Sequence, residues 1–424
     1  MAEGGENMLK RMDKYQYHYG LKVRLYPSTK QKQVITASSN ASRFVYNKMV
    51  ELGKEISKFG KPDIYIKVVD ERLARLKDLK SSTTTLKNTY PWLCAKDIDT
   101  LAIENAKQSY GKAWNMYRKV YNIAPPNFHK KSYEEKYQTS AQYDKKKVSV
   151  ATMNNGRCRF SKNHVVLPVL GKIRYVGSRK MMEKLFAMCE VRIGTVTVAK
   201  NGCDEYYASF QLASDESFVI EAPKTGSQVG IDLNEENFYA DSDGHIEPNP
   251  HYYRRARKRL AKAQRILGKR TARAKKEHRP LKTAKNYQKQ RKLVARITQS
   301  VMNRRRNFLH NQSTTLINNH DLVVAEELRS KNMMKNHALA MSIQDNGWRT
   351  FLNMMTYKAA LYGKTFKTVN PRNTTQTCSA CGHVLKGEHK LTLKDREWTC
   401  PVCGVHHASR DVNSAKNILT KGLT

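Results

Sequence analysis

Three acidic residues in the second half of the sequence lie where a carboxylate is costly unless it is paired or bound to a metal ion. Asp232 lies inside an apolar strand-like run, Glu326 ends another such run, and Asp411 opens a short helical segment. Burying a charged group without a partner is strongly unfavourable. Mg²⁺ prefers oxygen ligands, and phosphodiester cleavage by paired divalent ions needs carboxylates delivered by different elements. The three residues are therefore candidates for a Mg²⁺ site that cleaves phosphodiesters.

Each of these residues also has a structural interpretation. Asp232 could cap a turn, Glu326 could pair with an arginine, and Asp411 could be the N-cap of the helix that follows it. Ion pairs and caps are commoner than metal ligands, so any one residue alone favours the structural interpretation. Their joint appearance at the ends of predicted strands favours the metal site, but spacing alone leaves the choice open.

Four cysteines form a second candidate metal site. Cys378 and Cys381 make one CxxC pair, and Cys400 and Cys403 make another after 18 intervening residues. A CxxC turn presents two thiolates from one loop, and Zn²⁺ takes four in a tetrahedron. A redox CxxC is the alternative, which two pairs at this spacing disfavour. The pattern predicts one structural Zn²⁺, because four protein ligands leave no open position for catalysis.

The charge of the chain predicts a polyanionic partner. There are 77 Lys and Arg residues against 37 Asp and Glu, a formal net charge of +40 over 424 residues. Such an excess repels itself unless nucleic acid is nearby. A basic tail would suit a ribosome-associated protein or general cationic adhesion, but here the charge runs through the whole chain. We therefore predict a nucleic-acid-binding protein.

One stretch is more basic than the rest. Between Arg254 and Arg306 there are 22 Lys and Arg residues and one acidic residue, Glu277. Apolar residues recur there at helical spacing, which predicts a helical hairpin bent near Pro280. A solvated lysine-rich helix pair is the alternative, but the charge imbalance favours contact with phosphates. The candidate contacts are Arg254, Arg255, Arg257, Lys258, Arg304, Arg305 and Arg306.

The elements that must position these residues differ between the two halves of the chain. The first half predicts a strand over Tyr17–Tyr26, helices after Ser28 and around Ile98–Tyr117, and period-two strands from Phe128 to Leu212. The linker is predicted over Ser214–Gly226. The second half predicts four strands and one further amphipathic helix: Gln228–Leu233, Asn237–Ala240, Leu322–Ala325, Trp348–Leu361 and Thr365–Val369. Tyr46, Trp92 and Trp114 could stack on bases, although aromatic residues at helical spacing more often belong to a core.

From Val229 to Leu419 the sequence resembles the TnpB family, transposon-encoded relatives of type V CRISPR effectors. The resemblance begins at Gly230-Ile231-Asp232-Leu233-Asn234 and Asn249-Pro250, and it includes both CxxC pairs. It also covers the following motifs: Val324-Ala325-Glu326-Glu327-Leu328, Asn332-Met333, Ser342-Ile343, Gly347-Trp348, Arg396-Glu397-Trp398 and Arg410-Asp411-Val412-Asn413. The first half matches more loosely, through Leu25-Tyr26-Pro27 and Arg43 to Asn47.

The resemblance implies an α+β multidomain chain: an N-terminal β-barrel-like module with a helical insertion, then a RuvC/RNase H-like mixed sheet with an inserted zinc ribbon. The implied domains are the β-module (1–28 and 128–222), the helical recognition insertion (29–127), the nuclease domain (223–372), the ribbon (373–407) and the C-terminal helix (408–424). It implies an RNA-guided DNA endonuclease that acts as a monomer on its guide RNA. Asp232, Glu326 and Asp411 would be its catalytic triad and would hold two Mg²⁺ ions. The β-module and the insertion would hold the RNA and read a short motif beside the double-stranded target.

Three alternatives remain at the level of the sequence. One is a guided DNA-binding protein that does not cut, another a compact CRISPR effector with the same chemistry, and the third a transposase. The third would require a nucleophile for transesterification, and no tyrosine or further acidic motif calls for it. With no apolar run long enough for a bilayer and no apolar signal segment near Met1, the expected location is the cytoplasm of a prokaryotic-type cell, at the nucleoid.

Overall fold

The computed structural model describes residues 10–59, 67–143, 152–188, 190–218, 222–327, 346–392 and 394–424. The chain divides into two compact units, Met1–Phe218 and Val219–Thr424. This division falls inside the predicted linker. Both units combine helices with strands, so the predicted α+β class is confirmed.

The first unit contains a seven-stranded antiparallel sheet. Its strands are β1 (Tyr17–Tyr26), β2 (Glu135–Ser140), β3 (Arg159–Ser161), β4 (His164–Leu167), β5 (Gly171–Val176), β6 (Arg192–Lys200) and β7 (Tyr206–Ser214). They lie in the order β2-β6-β7-β1-β5-β4-β3. Leu21, Val23 and Leu25 are buried while Lys22 and Arg24 are exposed, as the period-two pattern of β1 predicts. A closed, barrel-like arrangement of this sheet stays a prediction.

Helices of the first unit follow β1 and interrupt the later strands. They are α1 (Thr29–Phe59), α2 (Lys67–Ser81), α3 (Thr83–Thr89), α4 (Thr100–Lys119) and α5 (Arg179–Ala187). Ser28 caps α1 as predicted, because the Gln31 N–H lies 3.4 Å from its Oγ and its own N–H donates to Gln31 Oε1 at 2.9 Å. The prediction of strands alone from Phe128 to Leu212 is wrong at α5, which Ser178 caps and which buries Met182 and Leu185.

The second unit contains a five-stranded mixed sheet. Its strands are β8 (Gln228–Asp232), β9 (Asn237–Asp241), β10 (Ile246–Pro248), β11 (Leu322–Glu326) and β12 (Thr365–Val369). The order is β10-β9-β8-β11-β12. β8 is antiparallel to β9 and parallel to β11, and β11 is parallel to β12. All four strands predicted here are confirmed.

Four helices described in this unit are α6 (Tyr252–Lys276), α7 (Lys285–Asn319), α8 (Trp348–Tyr362) and α9 (Arg410–Leu423). One face of the sheet buries Val229, Ile231 and Val323 in a core with residues of α7 and α8, among them Leu316 and Phe351. The other face packs Leu322 and Val324 on Ile418 of α9. The central strands are therefore covered on both faces, as expected for parallel strands.

The predicted basic hairpin is confirmed as α6 and α7, and Pro280 lies in the turn between them. A small apolar cluster that includes Leu260, Ala263 and Ile297 joins the two helices. The Gln290 side chain donates to the Ala263 carbonyl at 2.9 Å. In the parts of the chain that the structure describes, no helix is long and apolar enough to span a bilayer.

Candidate active site and metal centre

Asp232 and Glu326 lie at the carboxyl ends of two neighbouring parallel strands. Leu322 pairs with Gln228 and Val324 with Gly230 along β8 and β11, which places Asp232 and Glu326 at the same level of the sheet. Side chains alternate between the faces of a strand. Both carboxylates therefore point to the face that carries α9, like Gly230 and Val324 and unlike the core residues between them.

Helix α9 brings the third carboxylate to this edge. A Cβ at Gly230 would overlap the Ala415 carbonyl and lie 2.7 Å from the Leu419 nitrogen, so the helix backbone rests directly on β8. Asp411 is in the first turn of α9 and is 8% exposed. The N-cap interpretation of Asp411 is wrong, because the N-cap is Ser409, whose hydroxyl accepts from the Val412 N–H.

The three carboxylates are close enough to affect one another's charge. Part of Asp232 is exposed, but burial by the surrounding protein is the largest cause that raises its pKa well above the usual value. The charges of Glu326 and Asp411 raise that pKa further, and the guanidinium of Arg410 acts against them. Burial likewise raises the pKa of Glu326, although the Thr374 hydroxyl lowers it by donating to the carboxylate. A cation between these groups would offset both the burial and the repulsion.

The donor set fits a hard divalent cation. Three carboxylates from three separate elements supply oxygen ligands only, which Mg²⁺ prefers. Their oxygens do not all lie within 4.8 Å of one another, since among the described residues only the four cysteines meet that condition. Two metal ions bound side by side lie about 3.5–4 Å apart, so carboxylates that bind both ions are spaced more widely than the ligands of a single ion.

Two arginines flank the carboxylates on the side of Asp411. Arg396 lies 3.5 Å from one Asp411 oxygen and also pairs with Glu236, while Arg410 lies 3.5 Å from the other oxygen. Both arginines line a cleft of about 430 Å³ together with Arg254. Glu235 and Glu236 also line this cleft and pair with Arg254 and Arg396, so charges of both signs lie beside the carboxylates.

The four cysteines converge as predicted. Cys378 and Cys403 sulfurs lie 3.7 Å apart, as do those of Cys381 and Cys400, and all four lie within 4.8 Å. A tetrahedron with Zn–S bonds of 2.3 Å has edges of about 3.8 Å. Each knuckle closes by a hydrogen bond from the glycine after it: Gly382 N–H to the Cys378 carbonyl (2.9 Å) and Gly404 N–H to the Cys400 carbonyl (3.0 Å). The glycines adopt φ values of +76° and +69°, a backbone conformation that residues other than glycine rarely adopt.

The surroundings of the cysteines also favour a bound cation. Backbone N–H groups, first that of Cys403, lower the pKa of the Cys400 thiol to about 7, which favours the thiolate that binds zinc. Burial raises the pKa of the Cys378 thiol, so a bound cation would be needed to stabilise that thiolate. His407, on the short strand β14 (His406–His407) opposite β13 (Trp398–Thr399), places Nε2 3.2 Å from the Cys378 sulfur and stacks on Trp398. This is the position of a partner to a metal ligand rather than of a fifth ligand.

The predicted nucleic-acid contacts lie on the two long basic helices. Arg255, Arg257 and Lys258 of α6 are exposed, and so are Arg304 and Arg306 of α7. Arg305 is half-buried, and Arg254 pairs with Glu235 at 3.0 Å. The role of these residues in nucleic-acid binding stays a prediction.

The three aromatic residues that could stack on bases differ in their exposure and contacts. Tyr46 is a core residue, 8% exposed and stacked on His129 with ring centroids 3.9 Å apart. Trp114 stacks on Tyr110, while Trp92 is 45% exposed. The motif residues Leu328, Asn332, Met333, Ser342 and Ile343 lie outside the described residues.

Sequence reasoning missed the polar side chains that join the two candidate sites. Thr374 donates to Glu326, and Asn413 and Asn417 of α9 hydrogen bond to the segment before and around Cys378. Arg396 was noticed only as part of a motif. The available signals were Asn413, two residues after Asp411, and Thr374, four residues before Cys378. Neither residue type at such a spacing indicates a particular role.

Three family models match the chain. They are described as "Helix-turn-helix domain" (residues 18–61), "Probable transposase" (209–337) and "Cas12f1-like, TNB domain" (348–418). The first range corresponds to β1 and α1 and the third to the span from α8 through the cysteines to α9.

Relatives match along most of the chain. A Streptomyces pristinaespiralis protein named "Putative RNA-guided DNA endonuclease" is 30% identical over 95% of this chain and 89% of its own length. A protein of the same description from Escherichia coli K12 is 28% identical over 95% and 91%. A "TnpB-like protein" of Acanthamoeba polyphaga mimivirus is 22% identical over 95% and 73%. A solved Cas12f1–sgRNA–target DNA complex aligns over 95% of this chain and 98% of its own, at 13% identity and a TM-score of 0.48.

Proposed function

This chain belongs to the TnpB family, and from that premise we propose that it is an RNA-guided DNA endonuclease with one Mg²⁺-dependent active site. The observation that carries the proposal is the convergence of Asp232, Glu326 and Asp411, from two parallel strands and a helix, at one edge of the mixed sheet. Relatives that match almost the whole chain are named for the same activity.

The residues of the site would divide the work as follows. Asp232, Glu326 and Asp411 would hold two Mg²⁺ ions, which supply an activated water and stabilise the leaving oxygen when bound. Thr374 holds one carboxylate of the set by donating to Glu326. Arg410 and Arg396 keep positive charge beside Asp411, where they would orient the phosphate of the strand to be cut.

We further propose that the four cysteines bind one structural Zn²⁺ and form a zinc ribbon. The sulfur spacing and the two glycine-closed knuckles support this assignment. Because all four ligands come from the protein, this ion would hold the segment in shape and take no part in cleavage.

The basic helices α6 and α7 would contact the phosphate backbone of the guide RNA and its target. Their outer surface carries Arg255, Arg257, Lys258, Arg304 and Arg306, with few acids to neutralise them. Backbone contact leaves the choice of sequence to base pairing with the guide. In the first unit, a cleft of about 620 Å³ is a candidate site for RNA or for a flanking DNA motif. Its lining includes the polar residues Arg43, Asn105, His129 and Gln138.

The matched description "Probable transposase" supports a second candidate function, strand transfer by the same carboxylates. A guided binder that does not cut, or a CRISPR effector, would share this architecture. The binder is disfavoured because all three carboxylates are in place, and the effector differs in the origin of its RNA rather than in its chemistry.

The deciding experiment purifies the chain with its co-purifying RNA, sequences that RNA, and offers matched duplex DNA with Mg²⁺. RNA-dependent cleavage that Asp232→Ala abolishes would support the proposal. Tight binding of RNA and DNA without cleavage by the wild type would contradict it in favour of the guided binder. Joined rather than cut products would favour strand transfer.

A further inference from the structure

The first cysteine knuckle is attached to α9 on both sides of Cys378. The Asn413 side chain accepts from the Ser379 N–H at 2.9 Å and donates to the Thr377 carbonyl at 2.8 Å. Asn417 donates to the same Thr377 carbonyl at 2.6 Å and to the Thr374 carbonyl at 2.9 Å. The two asparagines are 2% and 7% exposed, so a displacement of the knuckle would break the hydrogen bonds of buried amide groups, which is unfavourable.

The same segment reaches the carboxylates. Thr374, 1% exposed, donates its hydroxyl to Glu326. Asp411 lies two residues before Asn413 on α9. The position of the segment 374–379 therefore fixes both the side chain of Glu326 and the first turn of the helix that carries Asp411.

The second knuckle makes a parallel attachment. Arg396, four residues before Cys400, accepts a hydrogen bond from the Arg410 N–H at its carbonyl (2.8 Å) and lies beside Asp411 through its guanidinium. The first knuckle and the segment just before the second knuckle therefore both contact the start of α9. A metal that closes the two knuckles on each other fixes both contacts at once.

We propose that Asn413, Asn417 and Thr374 are positioning residues that couple the two metal sites, so that Zn²⁺ at the cysteines raises the affinity of the carboxylates for their divalent ion. This inference rests on the proposed function, because it takes the carboxylates as a metal site. Coupling of binding is reciprocal, so the divalent ion also slows the release of Zn²⁺. Each hydrogen bond acts through the ligand that it orients, as outer partners of metal ligands do.

The test uses the full-length, zinc-loaded chain with Mn²⁺ as the probe, and measures free Mn²⁺ by electron paramagnetic resonance. Asn413→Ala and Thr374→Val should each weaken Mn²⁺ binding about 10-fold, the lower end of the usual effect of removing an outer partner, while zinc content stays at one per chain. Ile418→Val is the matched control, since Ile418 is a buried residue of α9 that packs on Leu322 and Val324. Its Mn²⁺ affinity should stay within about twofold of the wild type, because the apolar side chain makes no hydrogen bond to either site and the substitution removes only one methyl group.

A second measurement follows Zn²⁺ release to a chelating dye with and without Mn²⁺. Mn²⁺ should slow release from the wild type but have little effect on Asn413→Ala. Wild-type Mn²⁺ affinity in zinc-loaded Asn413→Ala and Thr374→Val would overturn the coupling while leaving the proposed function intact. If Asp232→Ala bound Mn²⁺ as the wild type does, the carboxylates would not be the metal site and both proposals would fall.

Discussion

The two candidate metal sites of the second unit are built on opposite principles. The cysteine site takes its four ligands from a span of 26 residues, Cys378–Cys403, and two local turns bring the sulfurs within 4.8 Å. The carboxylate site takes three ligands from a span of 180 residues, Asp232–Asp411, and only the assembled sheet and α9 bring them together. Local turns can form a compact ligand set, whereas distant elements leave the oxygens further apart.

The sites also differ in what they do without an ion. Backbone N–H groups lower the pKa of the Cys400 thiol, whereas burial raises that of the Cys378 thiol, so the fold stabilises the thiolate at one ligand and opposes it at another. Burial and mutual repulsion raise the pKa of Asp232 and burial raises that of Glu326, so the ionised carboxylates oppose folding. Without an ion, the cysteine site therefore contains one ligand that the fold favours as an anion, whereas Asp232 and Glu326 are both disfavoured as anions.

The largest expected effect is on cleavage. Asp232→Ala should lower the rate of guided DNA cleavage at least about 1,000-fold, in the range seen when members of a catalytic set are removed. Binding of the guide RNA should be unchanged, because the exposed basic side chains of α6 and α7, rather than a carboxylate, are expected to contact its phosphates. Single-turnover cleavage and filter binding on the same preparation measure both. Cleavage retained within about tenfold would exclude Asp232 from the site.

The next effect separates the two sites by stability. Cys400→Ser should lose the zinc equivalent and lower the Tm of the second unit, since a structural zinc contributes directly to folding. Elemental analysis and calorimetry provide the two readings, and Cys94→Ser, an exposed cysteine outside the cluster, is the control. A Cys400→Ser protein with full zinc content would refute the four-cysteine site.

A smaller effect is expected from the partner of a cysteine ligand. His407→Phe keeps the stacking surface against Trp398 but removes the nitrogen 3.2 Å from the Cys378 sulfur. Zinc affinity should fall about 10-fold, as it does when an outer partner of a ligand is lost. Competition with a chromophoric chelator measures it. Equal affinity in the variant would mean that the histidine only packs.

The smallest effect has the opposite sign. Asp232→Asn should raise the Tm of the metal-free chain, because it removes one of three repelling carboxylates whose pKa is raised by burial. A gain of about 1 kcal/mol corresponds to roughly 2–4 °C for a unit of this size.

The pH dependence of that gain follows from the sign of the shift. A raised carboxylate pKa means that the folded chain binds the proton more tightly than the unfolded chain. The stabilisation by that proton is complete below the unfolded pKa near 3.9 and is lost as pH rises through the folded pKa. The advantage of Asp232→Asn over the wild type should therefore be greatest at neutral pH and shrink as the pH is lowered. If the Tm difference between Asp232→Asn and the wild type did not depend on pH, or if a zinc chelator abolished it, the difference between the two metal sites described above would be contradicted.

Sequence patterns predicted the elements of the second unit better than the contacts between them. The strands around Asp232 and Glu326 and the hairpin at Pro280 follow from periodicity and turn residues, which are local properties. The CxxC pairs predicted their own convergence for the same reason. By contrast, α5 was missed because it has only two buried residues at helical spacing and lies inside a strand-rich stretch. The roles of Thr374 and Asn413 could not be predicted because they depend on which groups the completed fold places beside them.

The contact of α9 with the sheet at Gly230 has a consequence for how the site tolerates change. The gap between Asp232 and Asp411 is set there by main-chain atoms meeting main-chain atoms, and these have no rotamers through which the spacing could drift. Replacing neighbouring core side chains can alter how firmly the helix is held, but hardly how near it sits. Adding a single methyl group at position 230 would instead push the helix away from β8 and so increase the distance between Asp232 and Asp411.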